Sequence, residues 1–348
     1  MPQSHDENGC LFLRAARGER TERTPVWLMR QAGRTDPAYN RLKAEADLPL
    51  EKLFRHPAYA AEISLLPRRF GVDAIIIFQD ILTILSAMGA PFVFRPGPEL
   101  AQPAPPEELA QRLHGIEPPK DLAFVGETFQ RIHATIEGAL PVLGFAGAPL
   151  TLLVFLAEGK SFGSQAPATQ DFLRREPETA HRLLDLLTEA TIAYLRYQIA
   201  AGAAAVQLFE SAAFLFDRNT YTQFALPAQR RIFSALKGTA PTIHFARGLA
   251  DLDLLDHPCA DIISLPAGVS IAGARAALGD NAVLQGNLGN ELLAHGTWPE
   301  IEAAAVACLE QGAHEGHIFN LSHGLLRDTP FEHVTRLVQL VRDYRIEA

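Results

Sequence analysis

Eight short apolar runs recur along the chain, and longer amphipathic stretches separate them. Each run has the length of a β-strand and is rich in Val, Ile and Phe without polar alternation, which is typical of strands buried on both faces. The runs lie at residues 24–29, 73–78, 141–147, 204–210, 240–246, 260–265, 281–287 and 316–321. In the stretches between them, apolar residues recur at three- and four-residue spacing, and several stretches end in glycine, as helices prefer.

Eight strand-then-helix units in one chain predict an α/β fold, namely a single-domain (β/α)8 barrel of the TIM type over residues 1–348. An open, doubly wound sheet is the alternative, but it requires a glycine-rich dinucleotide loop after the first strand, where this sequence has none. Residues 1–20 are expected to be a short polar extension before the barrel.

Two segments interrupt the repeat. Residues 86–119 carry eight prolines after the second predicted strand, and residues 157–170 are small and polar after the third. We expect long loops over the C-terminal face of the barrel at both places, since enzymes of this fold keep their active sites on that face.

The composition narrows the function. Apolar residues make up 48% of the 348 residues, which excludes a disordered chain. With 31 basic and 40 acidic residues, the chain has a formal net charge of −9, which argues against nucleic acid as a partner. Only five of the basic residues are lysines and 26 are arginines, and arginine binds carboxylates and phosphates with a planar pair of donors. Codon bias is the simpler explanation of this excess.

The three cysteines, Cys10, Cys259 and Cys308, are scattered and form neither a disulfide framework nor a zinc motif. The N-terminus is polar and carries no apolar signal region. The best apolar run, at 74–78, has the length of a strand rather than of a membrane span. These features predict a soluble, cytoplasmic protein with no membrane partner.

Polar residues follow several of the predicted strands. Arg30, Asp80, Ser211, Arg247 and His323 each follow a different strand, so a barrel would bring them together in one cleft. The arginines can hold the acid groups of a small polyanionic molecule. The carboxylate can face a group that donates hydrogen bonds or becomes positive during a reaction.

Each candidate also has a simpler explanation. Asp80 and Ser211 can each cap a following helix, and Arg34 can be an ordinary surface arginine. A histidine on an apolar strand, such as His244, is more often a hydrogen-bonded core residue than a catalyst. The joint placement of the residues on one face, rather than any single one, favours a functional site.

The segment PVWLMRQAGR at 25–34 closely resembles the signature of the uroporphyrinogen decarboxylases, a family of enzymes of the tetrapyrrole pathway. The resemblance extends from about residue 10 to the C-terminus, and further segments occur in the order found in the family. They are RRFGVDAIIIFQDIL (68–82), GFAGAPLTL (144–152), VQLFES (206–211), FALP (224–227), IHFARG (243–248), LQGN (284–287) and HIFNLSHG (317–324).

The resemblance implies a distorted (β/α)8 barrel that usually forms a homodimer and needs no cofactor or metal. It implies the removal of the four acetate carboxyl groups of uroporphyrinogen III as CO2, giving coproporphyrinogen III for heme biosynthesis. By motif position, Asp80 would accept the pyrrole NH groups, and Arg30 would bind substrate and be a candidate proton donor. The other implied substrate-binding residues are Arg34, Gln31, Ala32, Phe155, Ser211 and His323.

The chemistry of decarboxylation agrees with these roles. Loss of CO2 from a saturated acetate carbon needs an electron sink, and a pyrrole protonated on a ring carbon provides its own. Asp80 would stabilise the resulting cation. Arg30 is a poor acid by its pKa, so the proton comes either from the arginine or through a water that it orders. The sequence leaves both routes open.

Several positions depart from the family pattern. Thr35 replaces a tyrosine after the signature, Phe155 replaces a substrate-facing tyrosine, and Ser322 replaces a glycine before the histidine. Ala212 and Phe214 also differ from the residues that the family has after the serine of VQLFES. These changes line the expected cleft, so an altered rate or substrate preference is consistent with them.

Two alternatives therefore remain beside the decarboxylase. One is a paralogue that acts on, or only carries, a related tetrapyrrole; a pure carrier would not need Asp80. The other is a cobalamin-dependent methyltransferase of the wider superfamily, in which a His-x-Cys pair binds zinc. Here the matching positions are His244 and Ala246, so the thiolate is missing.

Overall fold

The computed structural model describes residues 10–33, 35–256, 259–312 and 315–345. Its strands, in chain order, are β1 (Ile75–Ile76), β2 (Phe92–Phe94), β3 (Pro98–Leu100), β4 (Val142–Gly147), β5 (Ala205–Glu210), β6 (Thr242–Ala246), β7 (Ile262–Ser264), β8 (Val283–Gln285) and β9 (His317–Ile318). Strands β2 and β3 form a separate antiparallel pair. The other seven strands form one curled parallel sheet, in the order in which they occur along the chain.

Helices follow nearly every strand of the sheet and cover it, as an α/β fold requires. They are α1 (Leu11–Ala16), α2 (Pro37–Ala46), α3 (Leu50–Phe54), α4 (Pro57–Leu65), α5 (Thr83–Ala87), α6 (Pro106–Arg112), α7 (Pro118–Asp121), α8 (Ala123–Ile136), α9 (Pro149–Glu158), α10 (Pro167–Arg175), α11 (Pro177–Ala200), α12 (Arg218–Phe224), α13 (Leu226–Leu236), α14 (Leu252–Asp256), α15 (Ile271–Leu278), α16 (Asn290–His295), α17 (Trp298–Gly312) and α18 (Phe331–Asp343). None of the described helices has the length and apolar character of a membrane span.

Seven of the eight predicted runs contain a strand of the sheet. All residues of β4 and β6 are buried, which agrees with their continuous apolar sequence. Neighbouring strands run in parallel register, with Leu143 opposite Ala205 and Val206 opposite Thr242. The carboxyl ends of these strands therefore meet at one edge of the sheet.

The first predicted run, at 24–29, is not a strand of the sheet, so the complete eight-stranded barrel is not confirmed. The run makes one parallel bridge, between Val26 and Phe319, and the Phe319 amide donates to the carbonyl of Pro25 at 2.8 Å. On its other side, the Val26 amide donates to the Asp73 carboxylate at 2.8 Å instead of to a backbone carbonyl. A regular ladder cannot form here, because Pro25 has no amide proton and Asp73 takes that of Val26.

A hydrogen-bonded layer of polar side chains crosses the space inside the curled sheet. The Trp27 indole donates to Oε1 of Gln285 at 3.0 Å. Nε2 of Gln285 donates to Oε1 of Gln207 at 3.0 Å and to Oγ of Ser264 at 3.1 Å. All four residues are buried, so these bonds satisfy polar groups that would otherwise be costly to bury.

Two of the segments outside the repeat, residues 1–20 and 86–119, contain more regular structure than expected. Helix α1 lies within the predicted polar extension, and its Phe12 is fully buried. Residues 86–119 contain the β2–β3 pair, helix α6 and the start of α7, whereas 157–170 is mostly a loop between the end of α9 at Glu158 and the start of α10 at Pro167. Glu158 joins these two helices, because its carboxylate accepts from the amide and hydroxyl of Thr169, both at 2.8 Å.

Candidate active site

A cleft of about 440 Å³ opens beyond the carboxyl ends of β1, β4, β5, β6 and β9. Aromatic residues make up much of its wall. Its described charged and imidazole side chains are Arg30, Asp80, Arg247, His323 and Arg327, and its neutral polar lining residues are Thr35, Tyr39, Gln79, Thr151, Ser161 and Ser211. A largely apolar cleft with a few charged groups at the strand ends is typical of an active site in this kind of fold.

Arg30 reaches into this cleft from a turn with an unusual backbone. Its φ is +61°, in the left-handed region that non-glycine residues rarely adopt. Its side chain lies against Gly324, where a Cβ would be only 2.5 Å from Cδ of Arg30. Burial by the cleft walls lowers the pKa of Arg30; the Asp80 carboxylate acts in the opposite direction, and the positive charges of Arg247 and Arg327 lower the pKa further. Arg30 stays a cation, because the ordinary pKa of arginine is far above neutrality.

Asp80 follows β1 and is both a local cap and a cleft residue. Its Oδ1 accepts from the Leu82 amide at 2.8 Å, which stabilises the turn before α5. Burial raises the pKa of Asp80 to about 6, although the Leu82 amide and the charge of Arg30 act in the opposite direction. The carboxylate is therefore ionised at neutral pH, and a positive group placed beside it would be strongly stabilised.

His323 is a neutral donor in the cleft. Its Nδ1 accepts from the Gly324 amide at 2.6 Å, so the ring proton is assigned to Nε2. Burial lowers the pKa of His323 to about 3, and the charges of Arg30 and Arg247 contribute to the shift. Its protonated form is therefore absent at neutral pH, and the ring can donate one hydrogen bond to an acid group.

Two further arginines face the same cleft. Arg247 follows β6, and its guanidinium stacks over the Phe214 ring at 4.5 Å from the centroid. Burial lowers its pKa. Arg327 lies on the exposed rim, four residues after His323, and the sequence analysis did not identify it. The only feature of the sequence that indicates a role for Arg327 is its position shortly after His323, at the end of a predicted strand.

The predicted residues do not all reach the cleft. Ala32 and Ser211 line it, whereas Gln31 turns away. The Gln31 carboxamide is buried, accepts from the Leu28 amide at 3.0 Å and donates to the Ala74 carbonyl at 2.9 Å, so it holds the turn that presents Arg30. Arg34 lies outside the described residues.

Comparison with known proteins decides the family. The sequence profile described as "Uroporphyrinogen decarboxylase (URO-D)" matches residues 9–344. The chain belongs to the uroporphyrinogen decarboxylase family. A protein named uroporphyrinogen decarboxylase from Syntrophotalea carbinolica is 37% identical over 98% of each chain. One with the same name from Trichodesmium erythraeum is 38% identical over 93% of this chain and 92% of its own. A solved methyltransferase from Methanosarcina mazei has a TM-score of 0.76 at 21% identity, covering 95% of this chain and 97% of its own, and shows the fold alone.

In this member of the uroporphyrinogen decarboxylase family, the departures from the family pattern lie on or just behind the cleft wall. Phe155 is almost completely buried and forms part of the cleft wall. Its ring packs edge-on against that of Phe92, with the ring centroids 5.9 Å apart. Ala212 and Ser322 are both buried. The Ser322 amide donates to the Leu288 carbonyl at 2.8 Å, so Ser322 belongs to the backbone network behind the cleft.

Sequence reasoning also missed a buried acid beneath Ser211. Glu210 accepts hydrogen bonds from the Thr151 hydroxyl and, at 3.2 Å, from Nε2 of Gln229. The Thr151 hydroxyl oxygen in turn accepts from the Ala212 amide at 3.0 Å. Burial raises the pKa of Glu210 to about 7, against the opposing effect of these donors. The network ties the turn that carries Ser211 to the first turn of α9.

His244, the position that corresponds to a zinc ligand in the methyltransferases, does not line the cleft. Its ring is fully buried, bonds through Nδ1 to the Leu255 carbonyl at 3.1 Å and packs on Phe233. Burial lowers the pKa of His244 to about 4. Across the described ranges, no three His, Cys, Asp or Glu side chains converge to hold a metal ion. The residues described do not fit a zinc site.

Proposed function

We propose that the chain is a carboxy-lyase that converts uroporphyrinogen III to coproporphyrinogen III in heme biosynthesis, by removing the four acetate carboxyl groups as CO2. The observation that carries this proposal is a single ionised carboxylate, Asp80, in a cleft that also contains Arg30 and Arg247. Such a cleft suits a substrate with many acid groups and a ring that becomes cationic. The names of the relatives point to the same reaction.

Each decarboxylation exchanges CO2 for one proton. A proton added to a pyrrole carbon beside the acetate makes the ring cationic. The bond between the CH2 and the carboxylate then breaks, its electron pair flows into the ring, and CO2 leaves. The exocyclic methylene takes up a proton and the ring carbon loses one, which leaves a methyl group. The cation forms only during the reaction, so an anion positioned for it lowers the barrier.

The proposed roles follow from charge and position. Asp80 accepts the pyrrole NH groups and stabilises the cation, and Arg30 holds the acetate that reacts. The proton comes from Arg30 or from a water that it orders, and the lowered pKa of Arg30 favours the first route. His323 donates from Nε2 to a substrate acid group, and Ser211 and Arg34 bind others.

Further features of the proposal rest on the family resemblance. The catalyst is a cytoplasmic homodimer that needs no cofactor or metal. Each subunit is one domain, and residues 24–29 take the place of an eighth strand and close the barrel. The bridge from Val26 to Phe319, together with the 2.7 Å bond from the Asp73 amide to the Val26 carbonyl, supports that closure.

Anaerobic incubation of the pure protein with uroporphyrinogens I and III tests the proposal, with products separated by their number of carboxyl groups. We expect products with seven to four carboxyl groups, and the same products after extensive dialysis against a chelator. Unchanged substrate would refute the proposed function. One bound zinc per chain in a metal assay, together with loss of activity on chelation, would refute the cofactor-free mechanism.

A further inference from the structure

The loop after β9 holds Arg327 at the rim of the cleft. On one side of it, Leu325 is buried, and its amide donates to the Met29 carbonyl at 3.0 Å. On the other side, Thr329 is buried just before α18. Between these two fixed points Arg327 is exposed to solvent, and its side chain lines the cleft. Its position is thus set by the fold, although the guanidinium itself is free to meet a ligand.

The arginines of the cleft differ from most others in having no acidic partner. Elsewhere, Arg218 pairs with two aspartates and Arg231 pairs with an aspartate and a glutamate. Within the described ranges, Arg30, Arg247 and Arg327 form no ion pair with any carboxylate. The acid next to Arg327 in sequence, Asp328, instead lies 3.7 Å from Nε2 of His295.

These cations act on one another. The charges of Arg247 and Arg327 both disfavour the charged form of Arg30, so each of them repels Arg30 across the cleft. Clustered like charges raise the free energy of the empty protein, and a bound polyanion removes that cost. The Asp80 carboxylate opposes this effect at Arg30, but one anion does not balance three cations.

We propose that Arg327 binds a peripheral carboxylate of the substrate, one that is not reacting, and so favours substrates with more carboxyl groups. The identity of the substrate rests on the proposed function. The acid groups of a uroporphyrinogen are distributed around its perimeter, so when one acetate lies beside Arg30, others extend towards the rim. Arg327 contacts one of these in the ground state and in the transition state alike, which changes KM and leaves kcat unaffected.

The test compares Arg327→Gln with Arg68→Gln. Arg68 is an exposed arginine outside the cleft, so its replacement removes the same charge without touching the site. Loss of one solvent-exposed charge pair weakens binding about two- to five-fold. We expect Arg327→Gln to raise KM for uroporphyrinogen III by that factor at low salt with kcat unchanged. Arg68→Gln should match the wild type, Arg327→Lys should restore most of the loss, and salt should shrink the difference.

A binding measurement separates this inference from the proposed function. Uroporphyrin, the oxidised macrocycle with eight carboxylates, and coproporphyrin, with four, bind without turnover, and their fluorescence reports the dissociation constant. Arg327→Gln should weaken uroporphyrin binding more than coproporphyrin binding. A wild-type protein that binds uroporphyrin but does not decarboxylate would refute the function alone. Equal behaviour of Arg327→Gln and Arg68→Gln in both assays, or a fall in kcat at constant KM, would overturn the inference.

Discussion

The contact between Arg30 and Gly324 allows one methyl group to test the position of the arginine. A Cβ added at Gly324 would lie 2.5 Å from Cδ and 2.7 Å from Cγ of Arg30. Non-bonded carbons prefer about 3.5–4.0 Å, so the side chain must move by about 1 Å. Gly324 does not have a positive φ, so its backbone accepts alanine and the side-chain contact is the main perturbation.

We expect Gly324→Ala to lower kcat/KM for uroporphyrinogen III about 100-fold, because a displacement of about 1 Å typically costs that much in a positioned reaction. The free energy of unfolding should fall by only about 1 kcal/mol, the low end for an overpacked site, since Arg30 can move into the cleft. Initial rates with products separated by carboxyl number give the first quantity, and urea unfolding gives the second.

Gly115→Ala is the matched control, because nothing lies within 4 Å of a Cβ at that position and Gly115 is not a cleft residue. It should keep the wild-type rate. If Gly324→Ala also keeps the wild-type kcat/KM while remaining folded, then Arg30 does not need its observed position, and its proposed role in the reaction is wrong.

Three further predictions concern the carboxylates of Asp80 and Glu210 and the tyrosine hydroxyl that Phe155 lacks. The pKa of Asp80 is about 6, so kcat/KM of the wild type should fall as the pH drops through 6, and Asp80→Asn should lose at least about 100-fold in rate together with this acid limb. For Glu210, the unfolded carboxyl loses its proton near pH 4.5 and the folded one near 7. The folded state therefore keeps an extra proton in that window, and stability falls as the pH rises through it. Wild type should lose up to about 3 kcal/mol relative to Glu210→Gln between these values in urea titrations; parallel pH dependences would contradict this. Phe155→Tyr adds one hydrogen-bond donor to the cleft wall and should raise kcat/KM about two- to ten-fold in the same rate assay. A decrease would show that the added hydroxyl finds no acceptor there.

The strands could be predicted from sequence where apolar character alone decides the structure. Seven apolar runs form strands, and most of their residues are buried. The run at 24–29 is also apolar, but its pairing depends on Pro25 and on the carboxylate of Asp73, which lies nearly 50 positions away along the chain. A local pattern does not contain that long-range competition for one amide proton.

The site residues also divide into those that the sequence predicts and those that depend on the fold. Asp80 and His323 line the cleft, as their strand-end positions predict. Gln31 is adjacent to Arg30 in the signature, yet the left-handed turn at Arg30 directs the carboxamide towards the Ala74 carbonyl. Arg327 could not be predicted, because its place on the rim depends on how the loop after β9 is anchored rather than on the distance along the chain.

The backbone of Arg30 has a consequence for attempts to make this protein more heat-resistant. A left-handed conformation costs a non-glycine residue about 1–2 kcal/mol, so glycine at position 30 would relieve strain. A redesign guided by stability alone would choose that replacement and remove a cation whose charge acts on Asp80. At this single residue, activity and thermal stability therefore favour different amino acids, arginine for turnover and glycine for heat resistance. The chain has arginine there, at a cost in stability.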